Sequence, residues 1–597
     1  MTEQNLDLAV IGNCRVAALL NPLGRLVWWC FPRFDSDPIF CRLLGGKVEK
    51  GFSDVLLADT THSESDYVRN TAVTQTTLTD SRGSSVRITD FAPRFRNFGR
   101  MTKPPQIVRI IEPLSGMPRI TIRVRPCSNY GQPIERRTMG SNHITYWGEK
   151  NIVRLTTDAP LSYIETEAAF VLTRPMYLVF GTDEPFPSEL ASTCQDFLMR
   201  TLDYWADWVR GLSISYDWQA EIIRAAITLK LSNFEETGGI VAAHTTSIPE
   251  AQGSGRNWDY RYCWLRDAYF VVKALSRIGA TRTMEDFISF NLGIASTGET
   301  ESLRPVYGIV PTDTMTEYEA PLLDGYLGNG PVRIGNAAAE QTQHDVYGSI
   351  ILAALPMFVD QRLPRPGDGA LFRFLEPLGE KAARFALEPD AGIWEYRGRR
   401  RVHTYSAAMC WAGCNRLATI ARLLGLHERV EYWEAKALAI QTPLLERAWN
   451  ENRQAFTGAF DSDELDASCL LLAELGLVEP NDPRFEKTVS AIERELFQHN
   501  HVMRYATADD FGLPETAFLV CRFWLIDAWA SMGQRDKARE LFVDALARRN
   551  RYGLLSEDID PLTGQLWGNF PQTYSMAGLI LSAMRLSRTW EDRYWRS

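Results

Sequence analysis

No run of about 18 apolar residues occurs in the 597-residue chain, so no membrane-spanning helix is expected. Basic residues do not predominate. The 64 Lys and Arg face 74 Asp and Glu, and the net charge of −10 argues against nucleic acid or an anionic membrane as partner. The opening residues MTEQNLDLAV lack the basic and apolar regions of a secretory signal, so a cytoplasmic location is expected. The eight histidines include no His-Glu-x-x-His, and the ten cysteines include no Cys-x-x-Cys and no paired Cys/His spacing. A zinc hydrolase is therefore disfavoured, and no metal ion or cofactor is expected. The scattered cysteines read as buried free thiols in a reducing compartment, with Cys410 and Cys414 spaced for one helix face.

What the chain does carry is an ordinary globular balance, 45% hydrophobic and 23% charged, with aromatics at 11% and 17 tryptophans. Its length as a soft prior suggests more than one domain. Residues 1–186 read as an N-terminal antiparallel β-sandwich. RVAALLN and RLVWWCF flank a turn at Pro22–Gly24, VTQTTLTD and SVRITDF flank one at Ser81–Gly83, and IVRIIEPL and RITIRVRP flank Ser115 and Gly116. Each pair has hairpin spacing. Residues 187–216 read as a linker helix capped by Ser188. From 217 to 597 the apolar spacing is helical, with about twelve helices near 218–235, 265–280, 283–296, 338–361, 369–389, 405–424, 428–449, 464–476, 484–497, 515–533, 535–549 and 573–590. They come in pairs, which suits an (α/α)6 barrel with its loops at one mouth. An α-solenoid is the alternative, although no fixed repeat period is present.

Three loops carry the chemistry. RNWDYRYCWLRDA, from Arg256 to Ala268, spaces Trp258, Tyr260, Tyr262 and Trp264 two residues apart, so an extended chain puts the rings on one side. Arg266 and Asp267 follow at a helix entrance, where a simple capping role also fits. In GIWEYRGRRRVHTYS, Glu395 follows Trp394; a carboxyl desolvated by indole suits a general acid, whereas a surface Glu paired with Arg397 or Arg399 is the plainer reading. In LLSEDIDPLTGQLWGNFPQTYS, Glu557, Asp558 and Asp560 precede a turn; the Asp-x-Asp spacing lacks the Gly and terminal Glu of an EF-hand. DSDELDAS, at 461–468, reads as an acidic helix start. Two carboxylates, Glu395 and Glu557, among aromatic walls match the equipment of glycoside hydrolysis.

The ordered stretches RNWDYRYCWLRDA, PVRIGNAAAEQTQHDVYG, GIWEYRG and LLSEDIDPLTGQLWGNFPQTYS closely resemble glycoside hydrolase family 15, and IGNCRVAALLNPLGRLVWWCFPRFDSDPIF resembles the trehalase-like N-terminal domain of its prokaryotic members. The resemblance spans nearly the whole chain. It implies an α/α six-barrel and inverting, exo-acting hydrolysis of α-glucosides that releases β-glucose. By motif position it implies Glu395 as general acid and Glu557 as general base, with Trp264, Arg266 and Asp267 holding the non-reducing glucose. Trp258, Tyr260, Arg333, Trp394, Arg397, His403 and Trp567 are further pocket candidates. Trehalose is the first substrate expected, then malto- or isomalto-oligosaccharides. One departure stands out: Met576 occupies the place where many relatives carry His after NFPQ. Arg397, Arg399, Arg400 and Arg401 form a basic cluster that reads as a solvated edge or an anion site. A phosphorylase and a non-catalytic sugar-binding protein are the rival readings; a phosphorylase needs no base at Glu557, and a binding protein has no use for both carboxylates. Homo-oligomerisation is left open.

Overall fold

The alternating runs of the N-terminal part form two antiparallel sheets. The computed structural model describes residues 5–45, 49–186, 188–296, 302–311 and 314–591. One sheet has seven strands, in the order Ala9–Gly12, Ala17–Leu20, Leu26–Cys30, Phe52–Leu57, Arg119–Arg125 and Phe170–Val171, with Pro38–Phe40 added to Leu26–Cys30. The other has eight, in the order Arg137–Met139, His143–Trp147, Ile152–Thr157, Met176–Gly181, Ile107–Ser115, Ser85–Phe91, Thr74–Asp80 and Thr60–Tyr67. The inner faces share one core, in which Val55, Leu57, Ile120 and Ile122 meet Ile88, Leu155, Leu178 and Phe180. This is the period-2 burial of a sandwich.

The outer faces are also used. In RLVWWCF, Trp29 enters the sandwich core while Trp28 joins the core of the helical part and donates from Nε1 to the His244 carbonyl at 2.7 Å. On the other sheet Val108, Ile110, Tyr177 and Val179 pack against Cys194 of the helix Leu190–Arg210. That helix is capped at Glu189 with no side-chain bond; Ser188, expected as its cap, instead pairs its hydroxyl with Thr193 Oγ1 at 2.8 Å.

Two of the three expected hairpins pair as read, Ala17–Leu20 with Leu26–Cys30 and Thr74–Asp80 with Ser85–Phe91. The third does not. Ile107–Ser115 and Arg119–Arg125 lie in different sheets, so the short link between them is an arch. Both edges of each strand are already occupied, the first by Ser85–Phe91 and Met176–Gly181, the second by Phe52–Leu57 and Phe170–Val171. All ten cysteines are buried.

Beyond residue 218 the helices sort by polarity. Leu265–Arg277, Asp345–Val359, Thr404–Leu423, the 3-10 helix Ala467–Leu471, Leu519–Ser531 and Thr573–Leu586 are buried over most of their length. Each packs on the next, and the last packs back on the first. Gln219–Leu231, itself mostly buried, and the partly exposed helices Arg282–Ser296, Gly369–Phe385, His427–Arg447, Pro483–Leu496 and Arg535–Ala547 lie against this inner set. An apolar circumference suits an inside place and an apolar stripe an outside one. The helix expected at 464–476 is reduced to Ala467–Leu471, tightened onto Asp466, whose carboxylate caps Ser468 N at 2.8 Å and also accepts Trp394 Nε1. Among the described residues no helix is long and apolar enough to cross a membrane.

Asp345–Val359 and Thr404–Leu423 cross closely, since a methyl group on Gly348 would lie 2.1 Å from the Met409 carbonyl oxygen and one on Gly413 would lie 3.3 Å from the Gly348 Cα. Gly348→Ala is therefore expected to cost about 1–3 kcal/mol, read as a lowered thermal midpoint. An unchanged midpoint would show that the two backbones do not meet there.

Candidate active site

The segments just ahead of five of the six inner helices line one cavity. Its wall includes Trp258, Tyr260, Trp264, Arg266 and Asp267 from the first loop, Asn336 and Gln341 from the second, Trp394, Glu395 and Arg397 from the third, Arg504, Asp509 and Phe511 from the fifth, and Glu557 and Tyr574 from the last.

The segment 256–264 runs extended. The carbonyls of Trp258, Tyr260 and Tyr262 accept from the amides of Ser247, Ala243 and Ala242. Three of its four rings, Trp258, Tyr260 and Trp264, face the cavity, while Tyr262 is buried beside them. The rings of Tyr260 and Trp264 meet edge to face at 5.2 Å, and each holds one carboxylate. Tyr260 Oη donates to Glu557 Oε1 at 2.5 Å, and Trp264 Nε1 donates to Glu395 Oε1 at 2.6 Å.

Glu395 sits in a turn with φ of 60°, left-handed for a residue with a side chain. That backbone turns its carboxylate away from Trp394 and toward Trp264 and Arg266, whose Nη2 lies 3.3 Å from Oε1. The expected desolvating partner, Trp394, instead packs on Tyr505, Phe518 and Trp524 and donates to Asp466 at 2.8 Å. The turn is fixed by hydrogen bonds. Gln341 Nε2 donates to the Glu395 carbonyl at 3.0 Å, Gln343 Nε2 donates to Gln341 Oε1 at 3.1 Å, and Arg266 Nη1 donates to Gln343 Oε1 at 2.9 Å. Asp390, which accepts from the amides of His344 and Gly392 and from the Ser406 hydroxyl, is pushed up to about 7 by burial.

Glu557 lies at the end of a small ribbon in which Asp558 and Ile559 pair with Phe518 and Ala517 and with Trp567 and Leu566. Gly568, at φ of 73°, leaves it room, since a methyl group there would come within 2.5 Å of the Glu557 Cβ. Burial, reinforced by the charges of Asp558 and Glu250, holds the Glu557 carboxyl well above the usual range, while the Tyr260 hydroxyl opposes this. Asp558 is pushed up to about 7, mainly by burial and against the pull of Arg504. Burial likewise raises Asp267 to about 6 against Arg266.

Several of these groups are not distinguished in the sequence reading. Gln341, Gln343 and Asp345 alternate in QTQHD, a spacing that puts them on one side of an extended segment. Glu250 and Arg504 form a buried ion pair in the cavity wall, and Arg256 grips Asp509 through two hydrogen bonds of 2.7 and 2.6 Å. Conversely, three candidates lie behind the wall. Arg333 stands 5.0 Å from the Trp258 ring and donates to the carbonyls of Gly255 and Asn257. His403 is buried and stacked on Tyr396, and Trp567 is buried against Tyr326. Arg397 does line the cavity, 4.3 Å from the Trp258 ring. Arg399 and Arg401 both pair with Glu464, which occupies the cluster that had suggested an anion site. Met576 is buried in the helical core, whereas Tyr574, two residues earlier, lines the cavity. Asp560 accepts from the amides of Leu562 and Thr563, as a turn residue does.

Two carboxylates in an aromatic, hydrogen-bonding cavity are the equipment of a glycoside hydrolase. Residues 219–584 match the model of glycosyl hydrolases family 15, and residues 4–161 match that of the trehalase-like N-terminal domain. The chain belongs to glycosyl hydrolases family 15. A trehalase of Thermoplasma volcanium is 32% identical over 589 residues, 96% of this chain and 92% of the relative. A trehalase of Mycobacterium tuberculosis is 30% identical over 627 residues, 98% of this chain and 90% of the relative. The crystal structure of a bacterial glucoamylase complexed with acarbose aligns with a TM-score of 0.67 at 14% identity, over 98% of this chain and 94% of that one, and so shares its fold.

Arg504 is the cation for Glu250, and its charge also faces Asp558. Arg504→Met leaves Arg256, 3.9 Å from Glu250, as the remaining cation for both carboxylates and should cost up to about 3–5 kcal/mol, measured by urea unfolding. A wild-type midpoint would show that the buried pair contributes nothing net.

Proposed function

We propose that the protein is a trehalase, an inverting, exo-acting α-glucosidase. In this reading residues 1–186 are a β-sandwich domain, 187–216 a linker helix and 217–597 an (α/α)6 catalytic barrel. Glu395 is the general acid and Glu557 the general base, and Trp264, Arg266 and Asp267 hold the non-reducing glucose. The observation that carries the proposal is the pair of touching rings, Tyr260 and Trp264, each fixing one carboxylate in the same cavity. Similarity to trehalases over nearly the whole length, N-terminal domain included, supports trehalose over longer glucosides.

The hydrogen bonds suit the division of labour. Trp264 and Arg266 both donate to Oε1 of Glu395, which leaves Oε2 to carry the proton given to the glycosidic oxygen. On the far face of the sugar ring Glu557 takes a proton from the attacking water as an oxocarbenium-like transition state forms. Inversion requires the carboxyls to stand ~6.5–9.5 Å apart, room for that water. Burial of Glu557 makes it a stronger base, and a base is most effective when its pKa approaches the working pH.

Glu395→Gln and Glu557→Gln should each lower kcat on trehalose by about 10²–10⁴ with an unchanged circular dichroism spectrum. Near-wild-type turnover in either folded variant would overturn its role. Proton NMR in the first minutes should give α- and β-glucose in equal amounts, one from each half of trehalose. α-Glucose alone would exclude inversion.

Because the base must be ionised, kcat/KM should fall as pH drops through a value above the ordinary carboxylate range. Tyr260→Phe removes a donor that favours the ionised form, so this acidic limb should move to higher pH. A limb that stays in place would remove Glu557 as its source.

A further inference from the structure

Arg266 has more acidic neighbours than a sugar-binding arginine needs. Its Nε lies 3.4 Å from Asp267 Oδ1, its Nη2 3.3 Å from Glu395 Oε1, and its Nη1 3.8 Å from Asp345 Oδ2. Asp345 does not line the cavity and is fully buried, at the first position of the helix Asp345–Val359. Neither of its carboxylate oxygens accepts a hydrogen bond from a neighbouring side chain. A buried carboxylate without hydrogen bonds is costly unless a charge compensates it, and the compensating charge here is Arg266.

We infer that Asp345 is a positioning residue for the proton-donating step, acting on Glu395 through Arg266. The inference rests on the reading of Glu395 as the acid. Arg266 is the hub of a closed circuit, binding the Glu395 carboxylate directly and the Glu395 carbonyl through Gln343 and Gln341. Asp345 stands on the same segment two residues beyond Gln343 and fixes the hub from behind. Its second effect is electrostatic. A guanidinium beside a carboxyl favours the ionised form, which an acid catalyst must avoid. Asp345 and Asp267 share that positive charge, so it does not fall on Glu395 alone. The other ionisable groups around Asp345 are Asp390 from the acid turn and Tyr405 and Cys410 from the helix Thr404–Leu423. Both of the latter are held protonated by burial, so Arg266 is the one cation among the described groups that act on Asp345.

The test is the pH dependence of kcat and KM on trehalose for the full chain and for D345N, D345S, R266K and the D345N/R266K double variant. D345N should lower kcat by about tenfold to a hundredfold with a smaller change in KM. Its alkaline limb should move to lower pH, because D345N leaves more of the guanidinium's charge on Glu395. In the R266K background D345N should lower kcat much less, because the positioning effect passes through the forked guanidinium, which lysine lacks. A folded D345N with wild-type kcat and alkaline limb overturns the inference, as does an equal loss in both backgrounds. Loss of fold in both D345N and D345S overturns it too, by assigning Asp345 to stability alone. If E395Q keeps its activity, the acid assignment itself has failed. If E395Q is inactive and D345N is normal, only the role of Asp345 has failed.

Discussion

The cavity depends on one buried ion pair that never touches it. Asp259 and Arg261 are fully buried, joined at 2.7 and 2.9 Å, and alternate in sequence with the rings that line the site. Their side of the strand faces the N-terminal sandwich, where Arg261 donates to the Ser36 carbonyl at 2.8 Å and to the Tyr130 hydroxyl at 3.2 Å. Asp259 also accepts from the Gly335 amide, and its carbonyl accepts from Asn336 Nδ2. A buried pair is tolerated when the remaining donors and acceptors are used, and here they tie three stretches of chain together. The sandwich is thus the back support of the aromatic wall. Along the strand Trp258, Tyr260 and Trp264 face the cavity, and the charges of Asp259 and Arg261 between them face the sandwich.

The same alternation explains what was legible in the sequence. Period 2 and period 3.6 separate the strand-rich from the helical part, because each face had a core to enter. The arch between Ile107–Ser115 and Arg119–Arg125 looks like a hairpin locally, since pairing depends on which neighbours have already claimed the strand edges. At the site, residues on the extended loops were readable from type and spacing. Glu250 and Arg504 were not, because they are far apart in sequence and each is unremarkable alone. Sequence adjacency also misled. Trp394 precedes Glu395, yet the indole that touches Glu395 belongs to Trp264, because the left-handed backbone at Glu395 reverses the direction of its side chain. Arg333, His403 and Trp567 have the right chemistry but face the layer behind the wall.

Charge in the cavity is organised around two guanidiniums. Arg266 binds Glu395, with Asp267 and Asp345 near it; Arg504 binds Glu250 and lies in the field of Asp558, next to Glu557. Each proposed catalytic carboxylate therefore shares an arginine with other acids. The difference lies in contact. Glu395 is hydrogen-bonded to its arginine, whereas the nearest donors to Glu557 are the Tyr260 hydroxyl and the Asn569 amide.

The balance of these charges bears on the transition state. Six carboxylates line the cavity, Glu250, Asp267, Glu395, Asp509, Asp510 and Glu557, against four arginines, Arg256, Arg266, Arg397 and Arg504. A positively charged sugar ring forming in such a cavity meets more carboxylates than guanidiniums, even with Glu395 carrying the proton. Burial, with the charges of neighbouring acids adding to it, raises Asp267, Asp558 and Glu557 together. Groups poised between charge states in the free cavity would ionise more readily as positive charge develops on the substrate. The strain of crowding them is then relieved at the step the cavity is proposed to accelerate.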